Sequence, residues 1–476
     1  MTEDEERAIL EAELRLIESN QANPSIYGSF STHTRNNPAT SSPINSPVNN
    51  FTASHIYFVN RKLLPIGVGW VHDETQVDDK LSSKEKKRSK QLDNLLAIVY
   101  PEQRSDEWFK MRSGKITASD VGTVIGCSKY EKEFEFILKK VYGKPFEPNK
   151  YCYHGKKYEK IATMIYEYRM NVKVRDFGMI GHPTCDIVGA SPDGIVGKYK
   201  FDGEHLTKFV GRMIEIKCPM TRQIKTTGDV KADIVPIGYW HQVQLQLHCC
   251  DLDECDFWQC DLSEYETYEQ FLEDTLEEEP FRSKQTGFEK GCVIQLLPLE
   301  KACKLPTKYE EVLFDEATHI YPPSLEMTPL DIDKWIRGTL TDLHRTHPTK
   351  IFDKILFWRL NGSHCQLVTR EEDWLTKNLP KLTAVWNQVL YLRQNPEDAL
   401  LLTEYMNSLW TRISKNITAT IDGLCNKTID KKKLRATIEA NLKNIEQKKQ
   451  QFVIANKKAD ADLISYARVA DSSYAF

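Results

Sequence analysis

An aspartate, a glutamate and a lysine stand where they could do chemistry together. Asp193 lies in Ser191-Pro192-Asp193-Gly194, and Glu215 and Lys217 flank Ile216 in the run that closes at Pro219. Successive side chains of a strand alternate faces, so Glu215 and Lys217 share one face and Ile214 and Ile216 the other. Pro192 presets φ and Gly194 admits φ > 0, which puts Asp193 at a sharp bend after a short strand, Cys185 to Ala190. Two carboxylates can hold a hard divalent cation through oxygen, and a lysine beside them can position or deprotonate a water. Alone, Glu-x-Lys on a strand is most often an exposed ion pair worth about 0–1 kcal/mol. The surrounding elements must decide between the two.

Four helical stretches bear on those residues. Glu102 to Phe109 opens a helix that carries Met111 and Arg112, and Gly114 breaks it. Ile116 to Asp120 caps a second helix, where hydroxyls and exposed amides form an anion site. Arg112 adds a planar fork suited to phosphate; plain capping by Thr117 and Ser119 is compatible with that role. His154 to Glu159 opens a helix running to about Met170. Glu159 near its start is favourable helix-dipole chemistry or, pointing inward, a third acidic ligand. In the helix from Pro236 to Leu247, Gln242 and Gln246 are four apart and share a face, which Tyr239 and Val243 also line, so the face reads as a polar site.

The chain has 476 residues, room for two or three domains, with an ordinary soluble balance of 40% hydrophobic and 28% charged residues. Its net charge of −4 means that nucleic-acid binding must come from a local basic groove. Twelve cysteines occur without C-x-x-C pairs; the nearest cluster, Cys249, Cys250, Cys255 and Cys260, reads as buried free thiols, and no iron–sulfur cluster is expected. No signal peptide or membrane-length apolar run is evident, so no membrane partner and an intracellular, reducing setting are expected.

The expected organisation is an acidic helix and disordered linker over 1–54, an N-terminal extension over 55–99, a core over 100–263, an insertion over 264–350, the remainder of the core over 351–395, and a helical region over 396–476. The charged run 78–93 reads as a solvated helix face. Lys198 to Phe209 reads as an extra hairpin, and Lys350–Leu360 and Cys365–Val368 as two strands. In 429–458, Leu434, Ile438, Leu442 and Ile445 form an apolar seam, from which a homo-oligomer, a dimer first, is expected, with the chain's own helix at 374–392 as the alternative partner.

The order of motifs, EWFKMRSGKITASD (107–120), HGKKYE (154–159), SPDG (191–194), EIKCP (215–219) and YWHQVQ (239–244), closely resembles the phage lambda exonuclease and YqaJ-type viral recombinase nucleases of the PD-(D/E)xK superfamily. The insertions and tails suit a version from a large DNA virus. The resemblance implies an α/β fold with a central mixed sheet flanked by helices, and a metal-dependent nuclease acting 5′ to 3′ on double-stranded DNA. A structure-specific or Cas4-type endonuclease, or a non-cleaving binding module, is the alternative. It implies Glu159, Asp193 and Glu215 as ligands for Mg²⁺ or Mn²⁺, with the Ile216 carbonyl. Lys217 would activate or place the attacking water, Gln242 would orient Lys217 or that water, and Arg112, Ser119 and Ser191 would hold a phosphate, with Tyr239 among the DNA-binding residues. Single-stranded DNA and a recombination partner protein are further expected partners.

Overall fold

Two long strands, β9 and β12, carry the architecture. The computed structural model describes residues 61–63, 70–72, 80–101, 105–143, 147–409 and 413–450; the helix and linker expected over 1–54 lie outside them. In chain order, the ribbon β1 (Arg61–Leu63) and β2 (Trp70–His72) precedes α1 (Ser83–Leu96), α2 (Asp106–Ser113), β3 (Ile116–Thr117), α3 (Ala118–Val124), α4 (Glu133–Tyr142) and α5 (Lys150–Met170). Then come β4 (Val174–Arg175), β5 (Ile180–His182), β6 (Cys185–Ala190), β7 (Gly194–Val196), β8 (Met213–Lys217), α6 (Ile237–Cys250), β9 (Glu254–Glu264) and α7 (Tyr268–Glu273). The rest is β10 (Lys290–Pro298), α8 (Leu305–Glu316), β11 (Thr318–Ile320), α9 (Pro329–Thr341), α10 (Leu343–Thr346), β12 (Lys350–Thr369), α11 (Trp374–Gln394), α12 (Pro396–Asn407), α13 (Ser414–Cys425) and a helix α14 over 431–450.

The central sheet is seven-stranded, in the order β11-β10-β12-β9-β8-β7-β4. Only β8 and β9 run parallel within it. Parallel neighbours need a crossover, and α6 supplies it, burying Trp240, Val243, Leu245 and Leu247. On the opposite face, Tyr158, Ile161, Ala162 and Ile165 of α5 pack with Ile214 and Ile216 of β8. The strand's alternation thus sends Ile214 and Ile216 toward α5 and leaves Glu215 and Lys217 toward α6. A smaller sheet, β3-β6-β5, stands alongside. The α/β class with a mixed sheet between helices is as the sequence implies.

The segment 264–350, expected as an insertion, contributes β10 and β11 to one edge of the central sheet. Other local expectations are corrected. The two strands expected between Lys350 and Val368 are one strand, because the register shift between Leu360 and Gly362 absorbs Asn361 as a bulge. The excursion 198–209 is a hairpin in its shortest form: Tyr199 bridges Leu206 antiparallel, between hydrogen bonds from the Lys200 amide to the His205 carbonyl at 2.7 Å and from the Thr207 amide to the Lys198 carbonyl at 3.0 Å. Gly194 is not needed for positive φ; a Cβ there would come within 2.3 Å of Val174 Cγ1, so close approach of β4 is what demands glycine.

The charged run is half packed. Arg88, Gln91, Leu92 and Leu95 of α1 are buried, Lys84 and Arg88 both pair with Glu254, and Lys87 reaches Asp253 at 2.8 Å. Glu254 also takes Arg212 at 2.8 Å, and Arg212 reaches Asp256 at 3.4 Å. The buried part of this network, Arg88, Glu254, Arg212 and Asp256, joins α1 to β9 and to the residue that leads into β8. The seam of α14 is likewise divided: Leu434 and Ile438 join the core with α11, α12 and α13, while Leu442 is 49% exposed. The alternative partner, the chain's own helices, has taken the first two turns. Cys249, Cys250, Cys255 and Cys260 are buried, and burial pushes their thiols up, Cys250 to about 12. Among the described residues no helix is long and apolar enough to cross a membrane.

Candidate active site

Antiparallel pairing of β7 with β8 sets Gly194 opposite Ile214 and Ile195 opposite Met213. One step further, the same register places Asp193 across from Glu215. Asp193 Oδ2 accepts a hydrogen bond from the Ile216 amide at 2.7 Å. N–H and C=O of one strand residue point to the same edge, so the Ile216 carbonyl lies on the Asp193 side of β8.

Glu215 is fully buried. Its Oε1 accepts from Lys217 Nζ and, at 2.6 Å, from Gln242 Nε2; its Oε2 accepts from Gln246 Nε2 at 2.7 Å. A buried carboxylate left unpaired is costly, and these three donors hold it in one orientation. Lys217 also lies 4.8 Å from the centre of the Tyr239 ring, which in turn packs beside Phe257 at 6.1 Å. Tyr239, expected at the DNA, therefore braces the lysine.

The electrostatics are those of crowded anions around one cation. Burial, then Glu215 and Glu159, push the Asp193 carboxyl well above the usual carboxylate range. Burial opposes the charge on Lys217, but Glu215 and Asp193 outweigh it and hold the proton more tightly than usual. Lys217 is thus an ammonium, suited to placing a water or a phosphate oxygen rather than taking a proton.

Glu159 is exposed on α5, which packs on the other face of the sheet, and is close enough to raise the proton affinity of both Asp193 and Cys218. Among the described residues, no three His, Cys, Asp or Glu side chains form a group that could hold a metal ion by themselves. The fit to a divalent cation is therefore to two carboxylates, Asp193 and Glu215, with the Ile216 carbonyl. Mutual repulsion raising Asp193 is what a cation would relieve, and a carboxylate offers about four acceptor positions, three of which are used on Glu215.

A second cluster is tied to the first through one loop. β3 pairs with β6, Thr117 to Gly189, which brings the junction of α2 and α3 beside the loop carrying Ser191 and Asp193. Arg112 Nη2 donates to Ser119 Oγ at 3.3 Å and Thr117 Oγ1 at 3.4 Å, with its guanidinium 4.5 Å from the Trp108 ring centre. Trp108 Nε1 donates to Ser191 Oγ at 3.3 Å. Arg112, Ser119 and Ser191, expected as phosphate holders, are thus one cluster with Trp108 at its centre. Among the described residues Arg112 makes no ion pair; Asp120 is paired with Lys139 and Lys140. Burial lowers the proton affinity of Arg112, partly offset by Asp120.

Trp108 was not read as a site residue from the sequence, although it lies in the first motif; Gln246 was read on the polar face of Gln242 and Thr117 as a cap, neither with a role of its own. Two clefts, of ≈ 430 and ≈ 400 Å³, lie outside the Asp193–Glu215–Lys217 cluster; Met220, lining the second, is three residues beyond Lys217.

Residues 107–253 match the YqaJ-like viral recombinase domain. An uncharacterized protein, R354, of Acanthamoeba polyphaga mimivirus is 36% identical over 326 residues, 68% of this chain. The chain spans 59% of the length of that relative. Solved structures of an alkaline exonuclease (LHK-Exo) from Laribacter hongkongensis, and of LHK-Exo in complex with dAMP, are each 18% identical, covering 62% of this chain and 96% of that chain, with a TM-score of 0.33.

Proposed function

We propose, from the YqaJ-like viral recombinase domain that residues 107–253 carry, that the chain is a deoxyribonuclease of the lambda-exonuclease type. It would degrade double-stranded DNA from an end, 5′ to 3′, with Mg²⁺ or Mn²⁺ held by Asp193, Glu215 and the Ile216 carbonyl and approached by Glu159. The observation that carries this reading is Glu215, fully buried and held by Lys217, Gln242 and Gln246 across from Asp193.

When bound, a divalent cation would lower the pKa of a water and neutralise charge on phosphoryl oxygens. The protein's own residues do the rest. Lys217, held protonated, orients the water or donates to a phosphate oxygen. Gln242 and Gln246 fix Glu215, and the Ile216 amide fixes Asp193, so little reorganisation is needed during reaction. Arg112 and Ser119 offer a cationic fork and a hydroxyl to a phosphate, and Ser191 links that cluster to the loop bearing Asp193.

The test compares linear, nicked and covalently closed circular DNA, with Mg²⁺, Mn²⁺ or EDTA, for wild type and Asp193→Ala. Loss of linear duplex only with metal and only in wild type is expected, with closed circles spared. Full activity in EDTA or in Asp193→Ala overturns the metal site, and cleavage of closed circles overturns end dependence.

A further inference from the structure

We propose that the ≈ 400 Å³ cleft between α5, the end of β9 and α8 binds one unstacked nucleotide of a DNA single strand next to the active site. This rests on the nuclease reading for its place in the reaction, but the chemistry of the cleft argues for the occupant on its own. The cleft is tied to the site through the chain: Met220 lies three residues after Lys217 on the loop leaving β8.

The volume lies at the low end for small-molecule sites, enough for a nucleotide and too small for a duplex. One wall is aromatic: Phe314 packs on Tyr153 with ring centres 5.8 Å apart and His154 meets Tyr158 edge-on at 4.7 Å, which leaves the partly buried Phe314 and His154 rings to face a base. Aromatic rings bind bases of any sequence by stacking, and the half-exposed Met220 thioether adds a soft, adaptable surface. His154 Nε2 is buried without a hydrogen-bond partner among the described residues, so it is available to a base edge. Burial and the nearby Lys157 keep that imidazole neutral, at about 4, and a neutral ring can accept as well as donate.

Charge in the cleft favours a phosphate at the mouth. Glu264 is an anion that would repel one, but Lys157 Nζ and Tyr158 OH both donate to its Oε1, the latter at 2.9 Å. Lys150, on the first turn of α5, is exposed and open to solvent. An exposed cation at the rim, beyond the aromatic wall, suits the phosphate of a strand whose backbone continues outward; a free nucleotide is the outcome that the competition below excludes. Phe314 belongs to the segment 264–350, outside the motifs that carry the resemblance.

The test uses the full chain in EDTA, where the proposed cleavage is silent, and a fluorescein-labelled oligothymidylate read by anisotropy. Phe314→Ala and the surface change Lys150→Ala should each weaken binding by roughly fivefold or more, with the Lys150→Ala loss shrinking at high salt. Thermal melting checks that Phe314→Ala folds; if it does not, Lys150→Ala and His154→Phe decide. Unchanged oligothymidylate binding in the folded variants overturns the proposal. Equal competition by dTMP and by the unlabelled oligomer also overturns it, since the site would then hold free nucleotide. A wild type that binds through these residues but cuts no DNA refutes the nuclease reading and supports the cleft. A wild type that cuts duplex while its variants bind normally refutes the cleft alone.

Discussion

Gln246 donates to Glu215 Oε2 at 2.7 Å, one turn along α6 from Gln242, which donates to Oε1 at 2.6 Å. The two amides hold both oxygens of a carboxylate that has no solvent exposure. Gln246→Leu removes one donor and leaves Oε2 buried and unpaired, a cost of about 1–3 kcal/mol. The expected result is a kcat lower by about tenfold to a hundredfold, with KM for DNA nearly unchanged, because geometry and not substrate binding is lost. Steady-state rates on linear duplex check this. Wild-type kcat in Gln246→Leu would show that Glu215 needs no such brace.

Arg112 is stacked 4.5 Å from the Trp108 ring centre and reaches two hydroxyls through the same guanidinium nitrogen. Arg112→Lys keeps the charge but loses the planar fork and the stack. Cleavage of duplexes with a 5′-phosphate should drop about tenfold, the scale of one lost charge-assisted hydrogen bond, while 5′-hydroxyl duplexes should be little affected. If wild type cuts both ends equally and Arg112→Lys is silent, this cluster does not read a terminal phosphate.

Lys290, at the start of β10, is 1% exposed. Its ammonium donates to the Phe271 carbonyl and, at 2.5 Å, to Thr275 Oγ1, and it lies 3.9 Å from the Phe271 ring centre. Burial lowers it from 10.5 to about 8, with Asp274 opposing. Between about pH 8 and 10.5 the unfolded chain therefore holds a proton that the folded chain lacks, and this group's contribution to stability rises with pH across that window. Below pH 8 the folded protein carries the whole penalty, of order 3 kcal/mol. Lys290→Met should be more stable than wild type at about pH 7, with the gap closing by about pH 10. Urea midpoints at the two pH values measure it; a gap independent of pH would mean that Lys290 does not titrate there.

Local patterning determined much of this protein. Period-two alternation over Met213–Lys217 assigned Glu215 and Lys217 to one face, and the structure agrees because that face meets α6 while Ile214 and Ile216 meet α5. The helix over 133–142 and the core faces of α5 and α6 followed from apolar spacing, since burial of one face is a local demand. What the sequence could not settle was which face meets which partner. Glu159 has the right type and helix position for a ligand, and α5 covers the face of the sheet away from Glu215, from where its charge acts on Asp193. Leu434 and Ile438 looked like a seam between chains and are filled by the chain's own helices. Gly194 answers to the approach of Val174 from β4, a strand paired to it only after folding. Trp108 joins Arg112 to Ser191 because parallel pairing of β3 with β6 sets residues far apart in the chain side by side. Alternation and spacing fix which side chains share a face, but strand order and layer packing, which depend on contacts between distant segments, fix what that face meets.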